Sequence, residues 1–281
     1  MAAAFLFFKT KGGTLVFRFL AAAFWIPTLA YNAQLPPASW EKYVDQAVEF
    51  QNARRFAEAE EALAPAMREA ERLGADHPAV ASVLLHVGRL RTLRHDYTAA
   101  RLAFNRALNI TDKVYGRENL QYGLLLTNIA MTYHQEGQYS SAEPLYRRAI
   151  SILERTAGPE HDSTAVAEAG MAKLLLAERR NTEAETLFEK VIPVLEDAGE
   201  PDESILASVL TNLAEAYRMD GRYAKAEPFY RRALGMVEEK PALRTDEIGL
   251  GLGHFPPMLR KMKRKDEARD LDAQIKSILP K

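Results

Sequence analysis

The strongest constraint in this sequence is a period. "GQYSSAEPLYRRAI" at residues 137–150 returns as "GRYAKAEPFYRRAL" at residues 221–234, 84 residues further on. Ala142 of that stretch has counterparts at Ala59, Ala100, Ala184, Ala226 and Ala268, in steps of 41, 42, 42, 42 and 42, so the interval of 84 is two periods. Four residues after these alanines stand Leu63, Phe104, Tyr146, Phe188 and Tyr230, with Asp272 as the exception in the last copy. Gly74, Gly116, Gly158 and Gly199 mark a turn once per period, where a helix stops. A unit rewritten at this fidelity has to stack on copies of itself, whereas a reactive site needs no second copy.

Between these marks apolar residues recur at three and four. Leu126, Ile129, Ala130 and Tyr133 lie on one helical face. "GQY" then breaks the chain, and a second helix carries Ala142, Leu145, Tyr146, Ala149 and Ile150 on its apolar stripe. Each period is thus a helical hairpin, and a hairpin buries its stripes only against a neighbour. Six units follow, at about 40–76, 77–118, 119–160, 161–201, 202–243 and 244–281. Small residues at Ala47, Gly88, Ala130, Ala172 and Ala214 mark where paired helices approach closely. The Arg-Arg doublets at 147–148 and 231–232 belong to the outer surface.

Leu126-x2-Ile129-Ala130-x2-Tyr133 followed by Ala142-x3-Tyr146 resembles the tetratricopeptide repeat, as do Leu210, Leu213, Ala214, Tyr217, Ala226 and Tyr230. The family's usual period is about 34 residues, and the extra eight prolong the second helix by about two turns. "LLTNIAMTYHQEGQYSSAEPLYRRAISILERTAGPEH" is similar to the 42-residue subclass found in kinesin light chains. The resemblance covers residues 40–281 and is strongest in copies two, three and five. It implies an all-α, right-handed superhelical solenoid of about six hairpins, with first helices along a concave wall that receives an extended peptide or partner segment.

Residues one period apart become neighbours along that wall. One column reads His86, Asn128, Gly170, Asn212; the next reads Arg89, Met131, Lys173, Glu215; a third reads Thr92, His134, Leu176, Arg218. Asn128 and Asn212 match the asparagine that, in the kinesin light-chain family, holds peptide backbone, for which an amide offers both a donor and an acceptor. The alternative for each is a bridge between hairpins. The candidate peptide-binding set is Arg89, Thr127, Asn128, Met131, His134, Lys173, Thr211, Asn212, Glu215 and Arg218. Arg89 and Lys173 bring positive charge, which suits acidic side chains or a C-terminal carboxylate if they are more than exposed helix charges.

Three departures from the pattern carry expectations. Pro256 and Pro257 fall inside the first helix of the last unit and predict a shortened or bent capping helix. Pro193 predicts a bend in the second helix of copy four. Glu168 and Leu175 replace the Leu and Tyr of copies three and five, so the packing of copy four is expected to differ.

Little points to catalysis. With no cysteine there is no thiolate metal site and no cysteine nucleophile. Lys+Arg of 37 against Asp+Glu of 38 leaves no global field to recruit nucleic acid. "GLGLGH" at 249–254 has alternating glycines, but no strand precedes it as a phosphate loop requires. Of the six histidines, His77 and His161 sit two periods apart in turns, and none forms a metal-ligand pair with another. "RKMKRK" at 260–265 and the arginines around Arg94 suit a charged skin better than an anion site. No cofactor, metal or catalytic residue is expected.

The N-terminus bears on location. Lys9, Lys11 and Arg18 precede an apolar stretch, Phe19 to Ala30, in the order of a secretory signal. Twelve residues rise about 18 Å, short of a hydrocarbon core of about 30 Å. Residues 1–30 therefore form a signal peptide or anchor, 31–39 a linker with Pro36 and Pro37, and 40–281 the repeat domain. The expected protein is exported to the periplasm and is a non-enzymatic scaffold for another polypeptide. Its alternatives are an inner-membrane-anchored structural subunit of an envelope complex and an enzyme with a groove site.

Overall fold

The computed structural model describes residues 39–197 and 203–278; the candidate signal segment and most of the linker lie outside them. The first helices of five successive hairpins are α1 (Ser39–Asn52), α3 (Pro78–Leu93), α5 (Leu120–Gln135), α7 (Asp162–Ala177) and α9 (Glu203–Met219). Their partners are α2 (Phe56–Arg72), α4 (Tyr97–Tyr115), α6 (Tyr139–Thr156), α8 (Asn181–Asp197) and α10 (Tyr223–Glu239). A short 3-10 turn (Pro241–Leu243) leads to α11 (Asp246–Leu252), α12 (Phe255–Lys261) and α13 (Lys265–Ile278). Every described helix falls where the period placed one, and α1 begins at Ser39, one residue inside the stretch assigned to the linker.

The turns repeat as faithfully as the helices. Arg54, His95, Gly137, Arg179, Gly221 and Lys263 all have positive φ and occupy the same place between the two helices of a unit. Glycine adopts that backbone without strain, whereas the other four bear a modest steric cost held in place by the packed hairpin. Between units, the imidazole of His77 accepts the Ala79 N–H and that of His161 accepts the Ser163 N–H, each at 3.1 Å. These histidines are helix N-caps, as their turn positions suggested; Asn119 does the same for Tyr122 at 2.9 Å.

Aromatic knobs fill the places left by small residues. A side chain at Gly88 would begin 2.4 Å from the Phe104 ring, so this glycine lets α3 and α4 close on that ring. Ala47, Ala130, Ala172 and Ala214 are fully buried at the same level. Truncating an aromatic of this kind typically costs about 3–5 kcal/mol.

Which side is concave follows from which helices touch. α1 packs on α3, α3 on α5, α5 on α7 and α7 on α9, while α2, α4, α6, α8 and α10 do not pack on one another to a comparable extent. The first helices are therefore crowded along the inner wall; the Thr92 and Thr132 hydroxyls of α3 and α5 meet there at 3.2 Å. Across the wider outer ridges, long side chains span the gap: Arg106 to Glu71 at 3.0 Å, Arg155 to Glu118 at 2.6 Å and Arg264 to Glu227 at 2.5 Å. Such exposed pairs contribute only about 0–1 kcal/mol each. The Arg-Arg doublets lie on this surface, with Arg147 on Glu143 and Arg232 on Glu196.

The three departures resolve differently. Glu168 of copy four is buried and its carboxylate takes Lys190 of α8 at 2.5 Å. Burial pushes its pKa up against the pull of that ammonium. α8 runs from Asn181 to Asp197 through Pro193 as one helix, so the proline does not divide it. In the last unit the expected first helix is split into α11 and α12 around Gly253 and His254, and Pro256 and Pro257 open α12, where an absent N–H costs nothing.

Candidate functional site

The split last unit changes the inner wall. α11 follows α10 in the chain yet lies against α9. Its Gly251 permits this, because a side chain there would begin 2.1 Å from Cγ2 of Thr211. Gly251 of "GLGLGH" thus serves a close helix approach.

From α11 the Glu247 carboxylate reaches over α9 to α7. Lys173 Nζ of α7 stands 2.7 Å from Oε1 and 2.9 Å from Oε2. On α9 the Ser208 hydroxyl donates to Oε1 at 2.8 Å and the Asn212 amide donates to it at 2.9 Å. Ser208 and Asn212 are one turn apart, and the same Asn212 amide donates to the Ser208 carbonyl at 2.9 Å, which fixes its rotamer. Three donors from two units therefore converge on one half-exposed carboxylate. Burial pushes the Glu247 pKa up; the Lys173 charge and the three hydrogen bonds outweigh it and hold the carboxyl below 4.5. Next to it, Asp246 takes Arg54 of the α1–α2 turn at 2.9 Å, so the array curls until its first turn meets its last unit.

Glu215 anchors a second cluster on α9. It pairs with Arg218, accepts the Tyr230 hydroxyl at 2.8 Å and meets His254 Nδ1 at 3.0 Å. Burial raises its pKa, and Arg218 and Tyr230 outweigh that. On the N-terminal part of the wall, Arg89 is half-buried beside His86, and Met131 is half-buried against the core. His134 packs edge-on to Tyr139 with centroids 5.6 Å apart. Burial first, and then Lys173, push its pKa down to about 4.

The candidate residues separate on this geometry. Lys173 and Asn212 meet on one ligand, and Glu215 and Arg218 meet on each other. Thr127 and Thr211 are only 3% and 2% exposed, and their hydroxyls donate to the Gly123 and Ala207 carbonyls. Both point into the wall, so neither is available to a partner. The Asn128 amide donates to the Leu124 carbonyl of its own helix at 2.8 Å and makes no such bridge, whereas Asn212 donates both to Ser208 of its own helix and to Glu247 of the last unit, the bridge between hairpins expected as an alternative. Ser208 and Glu247 were missed. Ser208 lies one turn before Asn212, a spacing legible in principle, but Glu247 comes from a helix that has left the repeat register.

The tetratricopeptide repeat model matches residues 47–113, 94–155, 121–197 and 163–239. The chain belongs to the tetratricopeptide repeat family. No curated protein matches the sequence. Among solved structures, BtubC (BKLC) from P. vanneervenii is 21% identical over 71% of this chain and 80% of its own, with a TM-score of 0.59. A putative kinesin light chain from Podosopora anserina with nearly identical TPR-like repeats is 18% identical over 72% of this chain and 96% of its own, at 0.57. A Rap protein complexed with competence and sporulation factor is 14% identical over 85% and 74%, at 0.64. At these identities the likeness is one of fold. Among the described residues of this repeat protein no group of three metal-ligating side chains occurs, and no helix is long and apolar enough to cross a membrane.

Proposed function

We propose that this repeat protein is a non-enzymatic scaffold whose inner wall holds an extended segment of another polypeptide, with acidic side chains as its preferred feature. The observation that carries the reading is the set of donors from Lys173, Ser208 and Asn212, which converge on a carboxylate from two neighbouring units. An ammonium with a hydroxyl and an amide, each fixed by its helix, recognises a carboxylate by charge and direction together. The Rap structure, crystallised with a factor bound, supports polypeptide or peptide binding by this fold. Residues 1–30 support export, with the mature chain beginning near residue 31, which N-terminal sequencing of the exported protein checks.

The test is titration of the full chain with two fluorescein-labelled decapeptides, one of alternating Glu and Ser and one of alternating Lys and Ser. The acidic peptide should bind more tightly, weaken as salt rises, and lose about tenfold or more in affinity on Lys173→Glu. Equal binding of both peptides, or an unaltered affinity in the charge reversal, would remove the reading.

A further inference from the structure

The carboxylate on those donors belongs to the protein itself. A partner that uses Lys173, Ser208 and Asn212 has to take the place of Glu247, and to do so α11 has to leave α9. We propose that α11 is a latch: Glu247 is an internal stand-in for the partner's acidic side chain, and the groove opens to an acidic segment when α11 lifts. This rests on the acidic-segment reading above and adds its regulation.

Several independent features favour a detachable helix over a fixed part of the wall. α11 is seven residues long and two of them are glycines, Gly249 and Gly251; a helix so short and glycine-bearing has little stability apart from its contacts. Only Ile248 and Leu252 of it are buried, while Leu250 is 73% exposed. Both of its ends are joints: a 3-10 turn and Thr245 precede it, and Gly253 and His254 separate it from α12. α12 stays anchored by Phe255, fully buried and stacked on Tyr230 at 5.1 Å, so a moving α11 withdraws only Ile248 and Leu252 from the core. Its remaining fastenings are polar and solvent-facing. They are the Glu247 contacts and the Asp246–Arg54 pair, whose side chains are both about 70% exposed.

The latch also joins the two ends of the array. Asp246 fastens to the first hairpin while Glu247 fastens to copies four and five, so one short helix bridges the mouth of the groove. A segment entering along the wall meets both contacts. Displacing them exchanges one carboxylate for another on the same donors, which keeps the exchange close to balance and makes it sensitive to the number of acidic groups the partner brings. If the free protein is latched in all but a small fraction of molecules, apparent affinity falls by that fraction.

The absence of cysteine makes a direct test available. The position of a Cβ on Gly251 lies 3.6 Å from Thr211 Cβ, within the span of about 3.5–4.5 Å that a disulfide needs. The double variant Thr211→Cys/Gly251→Cys therefore holds α11 down when oxidised and frees it when reduced, in one and the same protein. With the Glu/Ser decapeptide as probe, the oxidised form should bind about tenfold or more weakly than its own reduced form. Glu247→Ala, which removes the stand-in and leaves the donors, should bind about tenfold more tightly than wild type. Equal affinity of oxidised and reduced forms, or a Glu247→Ala affinity no better than wild type, overturns the latch while leaving acidic-segment binding in place. No binding by any form, Glu247→Ala included, overturns both.

Discussion

Copies three and five are the two most alike in sequence, and the structure treats them differently. Tyr146 and Tyr230 open from the same position of nearly the same fourteen residues, and both are fully buried. Tyr230 donates to Glu215 at 2.8 Å, whereas the Tyr146 hydroxyl has no hydrogen-bond partner. The cause lies outside the shared motif. Position 131, one column over on the inner wall, is Met in copy three and becomes Glu215 in copy five. The unit stacked beyond also differs, since Gly170 meets the Tyr146 hydroxyl where His254 shares Glu215 with Tyr230. The same contrast holds for the asparagines, of which Asn128 bonds its own helix and Asn212 bonds Glu247 as well. The motif specifies a hairpin; the residues between the motif positions decide what each hairpin does.

The sharpest way to break this comparison is to make copy four resemble the last unit. A Cβ at Gly170 would lie 2.7 Å from Tyr146 Cε1 and 2.9 Å from its oxygen. Gly170→His should therefore lower stability by about 3 kcal/mol, toward the upper end for overpacked cores, seen as a lower thermal midpoint. A neutral outcome would mean the Tyr146 ring yields freely. Next in size is the pair of hydroxyl deletions. Tyr230→Phe should cost about 1.5–3 kcal/mol, as for a hydrogen bond to a charged group, while Tyr146→Phe should be neutral or stabilising because it removes a buried, unsatisfied hydroxyl. Equal effects in denaturant melts would show that the two sites are the same after all.

Acid should separate the halves further. His86 is buried with its Nδ1 unpartnered; burial, and then Arg89, lower its pKa to about 3. His134 is lowered to about 4. The same columns in copy five carry Asn212 and Arg218, which do not titrate in this range. A histidine whose folded pKa lies below its unfolded value of 6.5 favours the neutral folded form. Its contribution is thus complete above pH 6.5 and is lost as pH falls toward 4 and then 3. Limited proteolysis stepped from pH 6.5 down to about 4.5, where Glu215 and Glu247 keep their charge, should cut copies two and three before copy five, and His86→Gln should flatten that dependence. Simultaneous cutting of all copies would argue against it.

How much of this was legible in the sequence follows from the same contrast. The period located every described helix because each copy repeats its small residues, aromatic knobs and capped turns, and these are local or nearest-neighbour constraints. His77 and His161 could be read as turn residues for that reason. Thr127 and Thr211 were misplaced because a column on a helix fixes sequence spacing but not whether a hydroxyl faces outward or back to its own i−4 carbonyl. Glu247 was beyond reach: in repeat register it falls at the start of a first helix, beside Ile205 rather than Asn212. Only the break at Gly253 and the absence of a side chain at Gly251 let α11 cross to the inner wall, and that displacement is a property of the end of the stack, where no further unit enforces the register.

The smallest effects test the asparagines themselves. Asn128→Ala removes one hydrogen bond to the Leu124 carbonyl, but that carbonyl belongs to a continuous helix and alanine is the better helix former by about 0.5 kcal/mol, so the thermal midpoint should hardly move. Asn212→Ala removes the matching bond to Ser208 and one of the donors to Glu247. It should be slightly more destabilising, by about 0.5–1 kcal/mol, with the excess abolished in a Glu247→Ala background. A double-mutant cycle on thermal midpoints measures that coupling directly. If Asn212→Ala costs the same with and without Glu247, the amide belongs to its own helix in both copies, and the difference between them rests on Lys173 and Glu215 alone.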